Sequence, residues 1–379
     1  MPKQKRVVLI VPNLEGGGAE RVVVHLLRHL NRSRIEPILM VVHLHGPYVS
    51  RLPADIQVVD LKARRVRYAL TKMIREINRL QPDAIMSTLD YMNLALLAVK
   101  PFLIGNPRVI VREANTPSKS IQTLSTAGRS IFSWLYRLLY KKADAIVTQS
   151  EGMRKDLLTF LPRLDPEQVV RIYNPLDLDT VRRESVLFHP FPNGNERTVI
   201  VSAGRLTYQK GFDLLIKAFS KLRGVLGNAH LYILGEGPLL EELMQLAKDL
   251  QIEDHVTFAG FQTNPYPYLK HADVYVLPSR WEGFPNILLE AIACGSRVVA
   301  ARCPSGPEEI LEEGRYGVLV KPECVDSLAE GILIALGNEA RFDSGMQKAR
   351  QYAAPAIAKL YERVFTNEPE QRENQEGLA

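Results

Sequence analysis

Pro278–Ile310 reads PSRWEGFPNILLEAIACGSRVVAARCPSGPEEI. It follows the apolar run Val274-Tyr275-Val276-Leu277, which stops at proline. A loop with Glu282 and Gly283 comes next, then a helical pattern carrying Glu290, then the strand-like run Arg297–Ala301. Strand, loop, helix and strand make a βαβ unit, and in sheets of such units ligands bind beyond the carboxyl ends of the strands. Glu282, in the loop, and Glu290, about one turn inside the helix, therefore flank a ligand crevice. The free N–H groups of the first helical turn lie between them.

Working outward, the same alternation runs along the chain. In the first half, strands fit Arg6–Pro12, Ile38–Val42, Gln57–Leu61, Ala84–Met86, Val109–Arg112, Ala145–Thr148 and Val169–Ile172, with helical periodicity between several of them. In the second half they fit Thr198–Ser202, His230–Leu234, His255–Phe258, Val274–Leu277, Arg297–Ala300 and Tyr316–Val320. Alternation of this kind indicates parallel sheets covered by helices on both faces. It breaks around Asn174-Pro175 and His189–Arg197 (HPFPNGNER), which is turn and linker chemistry. The chain of 379 residues, too long for one ordinary core, therefore reads as two doubly wound α/β domains. The expected division is an N-terminal domain over 1–180, a linker over 181–196, a C-terminal domain over 197–345 and a disordered polar tail over 367–379.

Composition narrows the class. The 46% apolar and 24% charged content is that of a globular protein, and the longest apolar stretch, Met92–Gly105, is interrupted by Lys100 and Pro101 and too short to span a bilayer. Three cysteines without metal-ligand or CxxC spacing suggest reduced thiols and a cytoplasmic location. Residues 1–180 hold 27 Lys and Arg against 16 Asp and Glu, whereas the rest hold 21 against 26. A basic first half suggests an anionic partner: phospholipid headgroups on a membrane surface, a lipid pyrophosphate, or, last, nucleic acid, for which no recognition motif appears. Lys62, Arg64, Arg65 and Arg67 are a better headgroup cluster than the helix at Ser130–Lys142, with a solvated face as their default; that helix, with Ile131, Trp134, Leu135, Leu138 and Leu139 on one stripe, reads as core-facing ahead of an interfacial membrane helix.

Three further loops follow strands and open helices. Gly16-Gly17-Gly18 can aim backbone N–H groups at a phosphate, but Arg21 occupies the third glycine position of a dinucleotide fingerprint, which argues against a nicotinamide or flavin enzyme. Arg205 and Lys210, in GRLTYQKG, place two cations beside a helix start and suit a diphosphate. Gly235-Glu236-Gly237 lets the backbone approach a ligand closely. Each alone is also what an ordinary turn or solvated surface provides; four at one sheet edge favour a site. A nucleotide sugar could span it, with Glu282 on sugar hydroxyls, helical N–H groups on phosphate and Glu290 on a ribose. Asp177-Leu178-Asp179 imitates a metal-binding DxD but sits in linker and helix-start chemistry, and no metal is expected.

PSRWEGFPNILLEAIACG carries the Glu-x7-Glu spacing, and with GGGAERV, GRLTYQKGFDLLIKAF, LGEGPL and CPSGPEEI in order the chain resembles the retaining glycosyltransferases of family 4, which have the GT-B fold. The likeness is strongest to the branch that builds lipid-linked or surface bacterial oligosaccharides. The resemblance implies two Rossmann-like domains facing across a cleft, with a C-terminal helix over 346–366 packing back on the first. It implies transfer of a hexose or N-acetylhexosamine from a UDP-linked donor, with retention and without metal or cofactor, to a glycan or polyprenyl-pyrophosphate-linked glycan; the expected location is the cytoplasm, with the basic first half allowing peripheral association with the inner face of the cell membrane. Arg205 and Lys210 would hold the diphosphate and Glu282 the donor sugar. Glu290 would take the ribose, Phe284, Asn286, Ile287 and Leu288 would offer backbone contacts, and Gly17 and Gly18 would approach from the other domain. Many relatives carry His or Arg where this chain has Ala114, so Glu113, Asn115 or another group would take over that contact. The rival readings are a silent nucleotide-sugar-binding subunit and a GT-B epimerase or phosphorylase.

Overall fold

The structure is a computed structural model that describes residues 4–191, 197–337 and 345–368. The chain divides into two compact units, residues 1–175 with 352–379, and residues 176–351. The first break thus falls at Pro175, ahead of the expected 180. Asp177 shows the expected helix-start chemistry: it caps a short helix, its carboxylate accepting from Thr180 N at 3.0 Å and from Thr180 Oγ1 at 2.7 Å. Residues 192–196 of the expected linker and 369–379 of the expected tail lie outside the described residues.

Unit 1 is a seven-stranded parallel sheet in the order β3-β2-β1-β4-β5-β6-β7. The strands are β1 (Lys5–Val11), β2 (Ile35–Val41), β3 (Gln57–Asp60), β4 (Ala84–Thr88), β5 (Arg108–Arg112), β6 (Ala145–Thr148) and β7 (Val169–Arg171). The run Val7–Val11 is fully buried because β1 is central, paired to β2 and β4 and covered on both faces. The helices are α1 (Gly18–His29), α2 (Val66–Leu80), α3 (Asp90–Val99), α4 (Pro117–Gln122), α5 (Thr126–Leu139) and α6 (Glu151–Phe160).

Unit 2 opens with α7 (Leu178–Glu184) and builds a six-stranded parallel sheet, β10-β9-β8-β11-β12-β13. Its strands are β8 (Val199–Ala203), β9 (His230–Leu234), β10 (Val256–Phe258), β11 (Val274–Leu277), β12 (Val298–Ala301) and β13 (Val318–Val320). Its remaining helices are α8 (Phe212–Leu222), α9 (Leu240–Asp249), α10 (Tyr266–His271), α11 (Asn286–Cys294), α12 (Pro307–Leu311), α13 (Val325–Gly337) and α14 (Gly345–Arg350). The apolar α11 is buried from Leu288 to Cys294, with α7, α10 and α14 against it. It stops at Gly295, whose φ of 82° is the left-handed conformation a helix end commonly adopts.

The single helix expected over 346–366 is two. α14 packs on α11 within unit 2, and only α15 (Ala354–Thr366) joins unit 1, against α1. Both sheets reverse direction once, between β1 and β4 and between β8 and β11. At such a switch point two neighbouring strands send their chains to opposite faces, which leaves a crevice at their carboxyl ends. In unit 2 the loops leaving β8 and β11 are therefore neighbours, although far apart in sequence.

α5 departs from its expected orientation. Tyr136 and Leu139 enter the core, but Ile131, Trp134 and Leu138 are 57%, 60% and 39% exposed. The stripe assigned to the core by spacing is split: the helix has a second apolar row, on its outer side. Lys62, Arg64, Arg65 and Arg67 are also exposed, and the Arg67 guanidinium stacks on Tyr68 at 4.8 Å.

Candidate active site

The unit 2 loops meet backbone to backbone. A methyl group on Gly211, where φ is 67°, would lie 2.2 Å from Pro278 O, and one on Gly235, where φ is 134°, would lie 2.0 Å from Gly204 O. Leu206 N donates to Glu236 O at 2.9 Å, and Arg280 N donates to Gln209 O at 2.8 Å. Glycine is required at 211 and 235 because the segments after β8, β9 and β11 close on one another with no room for a side chain.

This packing brings Lys210 to Glu282. Lys210 Nζ lies 2.6 Å from Glu282 Oε1, and Ser279 Oγ donates to the same oxygen at 2.6 Å. The lysine side chain keeps 19% of its exposure and the glutamate 6%. Glu282 Oε1 thus accepts from an ammonium and a hydroxyl, and a carboxylate held in this way can accept from further hydroxyl groups. Its main chain is pinned as well: Glu282 N donates to Pro304 O at 2.7 Å, and Ser305 N donates to Glu282 O at 2.9 Å. CPSGP, the loop after β12, thereby buttresses the Glu282 loop.

Arg280 and Ser279 went unrecognised in the sequence. The Arg280 guanidinium grips both oxygens of Asp213, at 2.8 and 2.7 Å, donates to Tyr208 O at 2.7 Å, and lies 3.9 Å from the Tyr208 ring centroid. Burial alone would raise the Asp213 carboxyl, but the hydrogen bonds and charge of Arg280 outweigh it and hold it below its usual value. Arg280 thus ties the Lys210 loop to the Glu282 loop. Nothing in its local sequence marks it, since Asp213 is 67 residues away. Ser279 had a weak signal, a small polar residue directly after the strand-ending Pro278.

The other expected residues divide. Arg205 is exposed and makes no ion pair among the described residues. Glu236 is exposed and Gly235 buried at the same edge. Phe284 is buried, while Asn286 and Ile287 are half-buried in the first turn of α11. Leu288 leaves the candidate list: its side chain is in the core and its N–H donates to Pro285 O at 3.0 Å, so neither remains for a ligand. Glu290 is buried inside α11. The Tyr275 phenol, on β11, is pushed well up by burial and then by the charges of Glu282 and Glu290. Among the described residues no group of three or more His, Cys, Asp or Glu could hold a metal ion.

Unit 1 is less accommodating to the expectations. Gly17 and Gly18 do open α1, but a methyl group on Gly17 would lie 2.4 Å from Glu20 Oε2, so the unit's own carboxylate covers that helix start. Glu113 is 1% exposed, accepts from the Tyr140 hydroxyl, and its carbonyl accepts from the Gln149 amide. Burial pushes its carboxyl up to about 8, against the Tyr140 hydrogen bond. It cannot replace the contact that Ala114 lacks, because its carboxyl points into the protein. Asn115 is half-buried and its Oδ1 accepts from Thr116 N at 3.0 Å. Asn174, half of the Asn-Pro pair, serves the interior: with Thr88 and Tyr361 it accepts from the buried Arg112 guanidinium.

Comparison with known proteins fits this division. Residues 187–356 match the family described as glycosyl transferases group 1, and residues 16–180 match glycosyltransferase family 4. The chain is 30% identical over 372 residues to the N-acetylgalactosamine-N,N'-diacetylbacillosaminyl-diphospho-undecaprenol 4-alpha-N-acetylgalactosaminyltransferase of Campylobacter jejuni, covering 95% of this chain and 96% of that one. It is 37% identical over 208 residues to the GDP-mannose-dependent alpha-(1-6)-phosphatidylinositol monomannoside mannosyltransferase of Mycolicibacterium smegmatis, covering 48% of this chain and 53% of the relative. Among solved structures, Anabaena HepE in complex with UDP and glucose superposes with a TM-score of 0.80 at 17% identity, over 96% of this chain and 100% of that one. That last likeness shows the fold.

Proposed function

This chain belongs to the family 4 glycosyltransferases with the GT-B fold, and we propose that it moves a hexose or N-acetylhexosamine from a UDP-linked donor to a lipid-diphosphate-linked glycan, with retention of configuration. The observation that carries this reading is the Lys210–Glu282 pair, set at the switch point of unit 2 beside the first turn of α11. The Campylobacter relative, named for a diphospho-undecaprenol acceptor, supports the acceptor class. A solved neighbour holding UDP supports the base, and the GDP-mannose-dependent relative supplies the alternative.

The donor lies in unit 2. Its diphosphate takes Arg205, Lys210 and the N–H groups of the first turn of α11; Glu282 accepts from sugar hydroxyls and Glu290 from the ribose. The acceptor glycan is handled by unit 1. The hardest step is departure of the diphosphate as positive charge develops at the anomeric carbon. Preorganised cations and helix N–H groups stabilise the leaving phosphate, and a single donor of this kind is typically worth about 10²–10³ in rate. The acceptor oxygen bonds to the anomeric carbon on the face the diphosphate leaves, and its proton passes to the departing phosphate oxygen. Glu282 is already engaged by Lys210 and Ser279, so its part is orientation. Arg205 and Lys210 supply the charge that a divalent cation provides elsewhere, so no cofactor is required.

The experiment is a panel of UDP- and GDP-sugars with lipid-diphosphate-linked glycans, with and without EDTA, read by mass spectrometry and anomeric NMR. The expected result is an α-linked product from an α-configured UDP-sugar, undiminished by EDTA. Donor binding without transfer to any acceptor, or a β-linked product, overturns the reading.

A further inference from the structure

Lys210 ends a single turn, Tyr208–Lys210, and a turn of three residues is too short to hold its own shape. What holds it is the segment that leads into Glu282. Arg280 N donates to Gln209 O at 2.8 Å, Gln209 Nε2 donates to Trp281 O at 2.9 Å, and Gly211 lies against Pro278 O. The residues on both sides of Lys210 are thus fastened to residues just before Glu282, and Lys210 itself to Glu282.

The Arg280 side chain closes this block. Its guanidinium donates to Tyr208 O and takes both oxygens of Asp213, in the first turn of α8. Its Nε lies 3.4 Å from Glu323 Oε2, in the loop after β13. One side chain therefore joins the segments that follow β8, β11 and β13. It is 7% exposed, so these contacts are little weakened by water or salt. A guanidinium offers five donors in a planar fork, whereas an ammonium cannot meet two carboxylates and a carbonyl spread in this way. Among the described residues no hydrogen bond or ion pair joins the Arg280 side chain to Lys210 or Glu282. Its influence on that pair runs through the loops that carry it.

We propose that Arg280 is a positioning residue: it holds the Lys210 turn and the Glu282 loop as one block and so sets where the Lys210 ammonium meets the donor diphosphate. The purpose rests on the donor reading above, but the block itself can be measured without a donor. A misplacement of about 1 Å can cost about 10²-fold in rate, so a residue that touches no substrate can still be needed for turnover.

The first test is thermal. Lys210→Met is made in wild type and in Arg280→Lys, and the melting temperatures are compared. If Arg280 holds the pair together, the drop caused by Lys210→Met should shrink to less than half in the Arg280→Lys background. A merely structural arginine would lower both melting temperatures and leave that drop unchanged. Asp213→Asn, which keeps the arginine and its carbonyl contact, should shrink the drop in the same direction by less, and it serves if Arg280→Lys does not fold. The second test is kinetic. Arg280→Lys should lower kcat about tenfold to a hundredfold and change the donor KM less than threefold. Added to Lys210→Met, it should lower kcat/KM less than threefold further, because it acts through Lys210. An unchanged Lys210→Met drop in both backgrounds overturns the proposal, as does an additive loss of rate in the double variant. Wild type that transfers no sugar refutes the donor reading alone, and the melting temperatures still decide the block.

Discussion

Removing the ammonium of Lys210 while keeping the length of its stem, as Lys210→Met does, leaves the Glu282 carboxylate buried without that partner. Breaking a buried pair costs about 3–5 kcal/mol and an exposed one at most about 1. With the lysine 19% and the glutamate 6% exposed, a cost of about 3 kcal/mol is expected. For a unit of this size that lowers the melting temperature by roughly 6–12 °C. Glu282→Gln should cost less, because the lysine can turn its charge towards water. The double variant Lys210→Met/Glu282→Gln removes both charges, so it should recover about 2 kcal/mol of the summed losses. Activity should behave differently. If Lys210 meets the donor diphosphate, each single variant loses about 10²–10³ in kcat/KM, and the double variant does not regain it. Thermal unfolding monitored by circular dichroism and initial rates on the same preparations separate the two effects. A coupling below about 0.5 kcal/mol refutes the pair, and activity that returns together with stability refutes the catalytic role.

Two further outcomes follow from the geometry. Gly211→Ala must place a methyl group 2.2 Å from the Pro278 carbonyl at positive φ, and should cost about 3 kcal/mol, whereas Gly295→Ala, also at positive φ but with nothing within 4 Å, should cost only about 1; equal melting temperatures would show that the loops are not held this closely. The Glu113 carboxyl is raised from 4.5 to about 8 in the folded chain, so the folded state holds a proton that the unfolded state releases. Its contribution is complete below about pH 4.5, declines as pH rises towards about 8 and is flat above. Glu113→Gln should therefore flatten the melting-temperature profile between these values and raise stability at its alkaline end. An unchanged slope would mean that the carboxyl titrates normally.

The sequence carried the alternation of strands and helices, because a strand buried on both faces must be an apolar run and a covering helix must show its own period. Val7–Val11 and Val274–Leu277 are legible for that reason. The Glu-x7-Glu stretch and the glycine loops were legible because loop, helix start and tight turn each demand particular residue types. Local signals could not say which stretch of chain a residue meets. Arg280 and Asp213 find each other because the β8 and β11 loops adjoin at the sheet's reversal. Periodicity likewise identified α5 as amphipathic but not which apolar row faced inward; that depended on the sheet and helices beside it. Glu113 followed a strand end as a ligand contact would, and only burial beneath Tyr140 made it interior. Element type and motif are properties of neighbours in sequence, while pairing, burial and charge state are properties of neighbours in space, and strand order decides those.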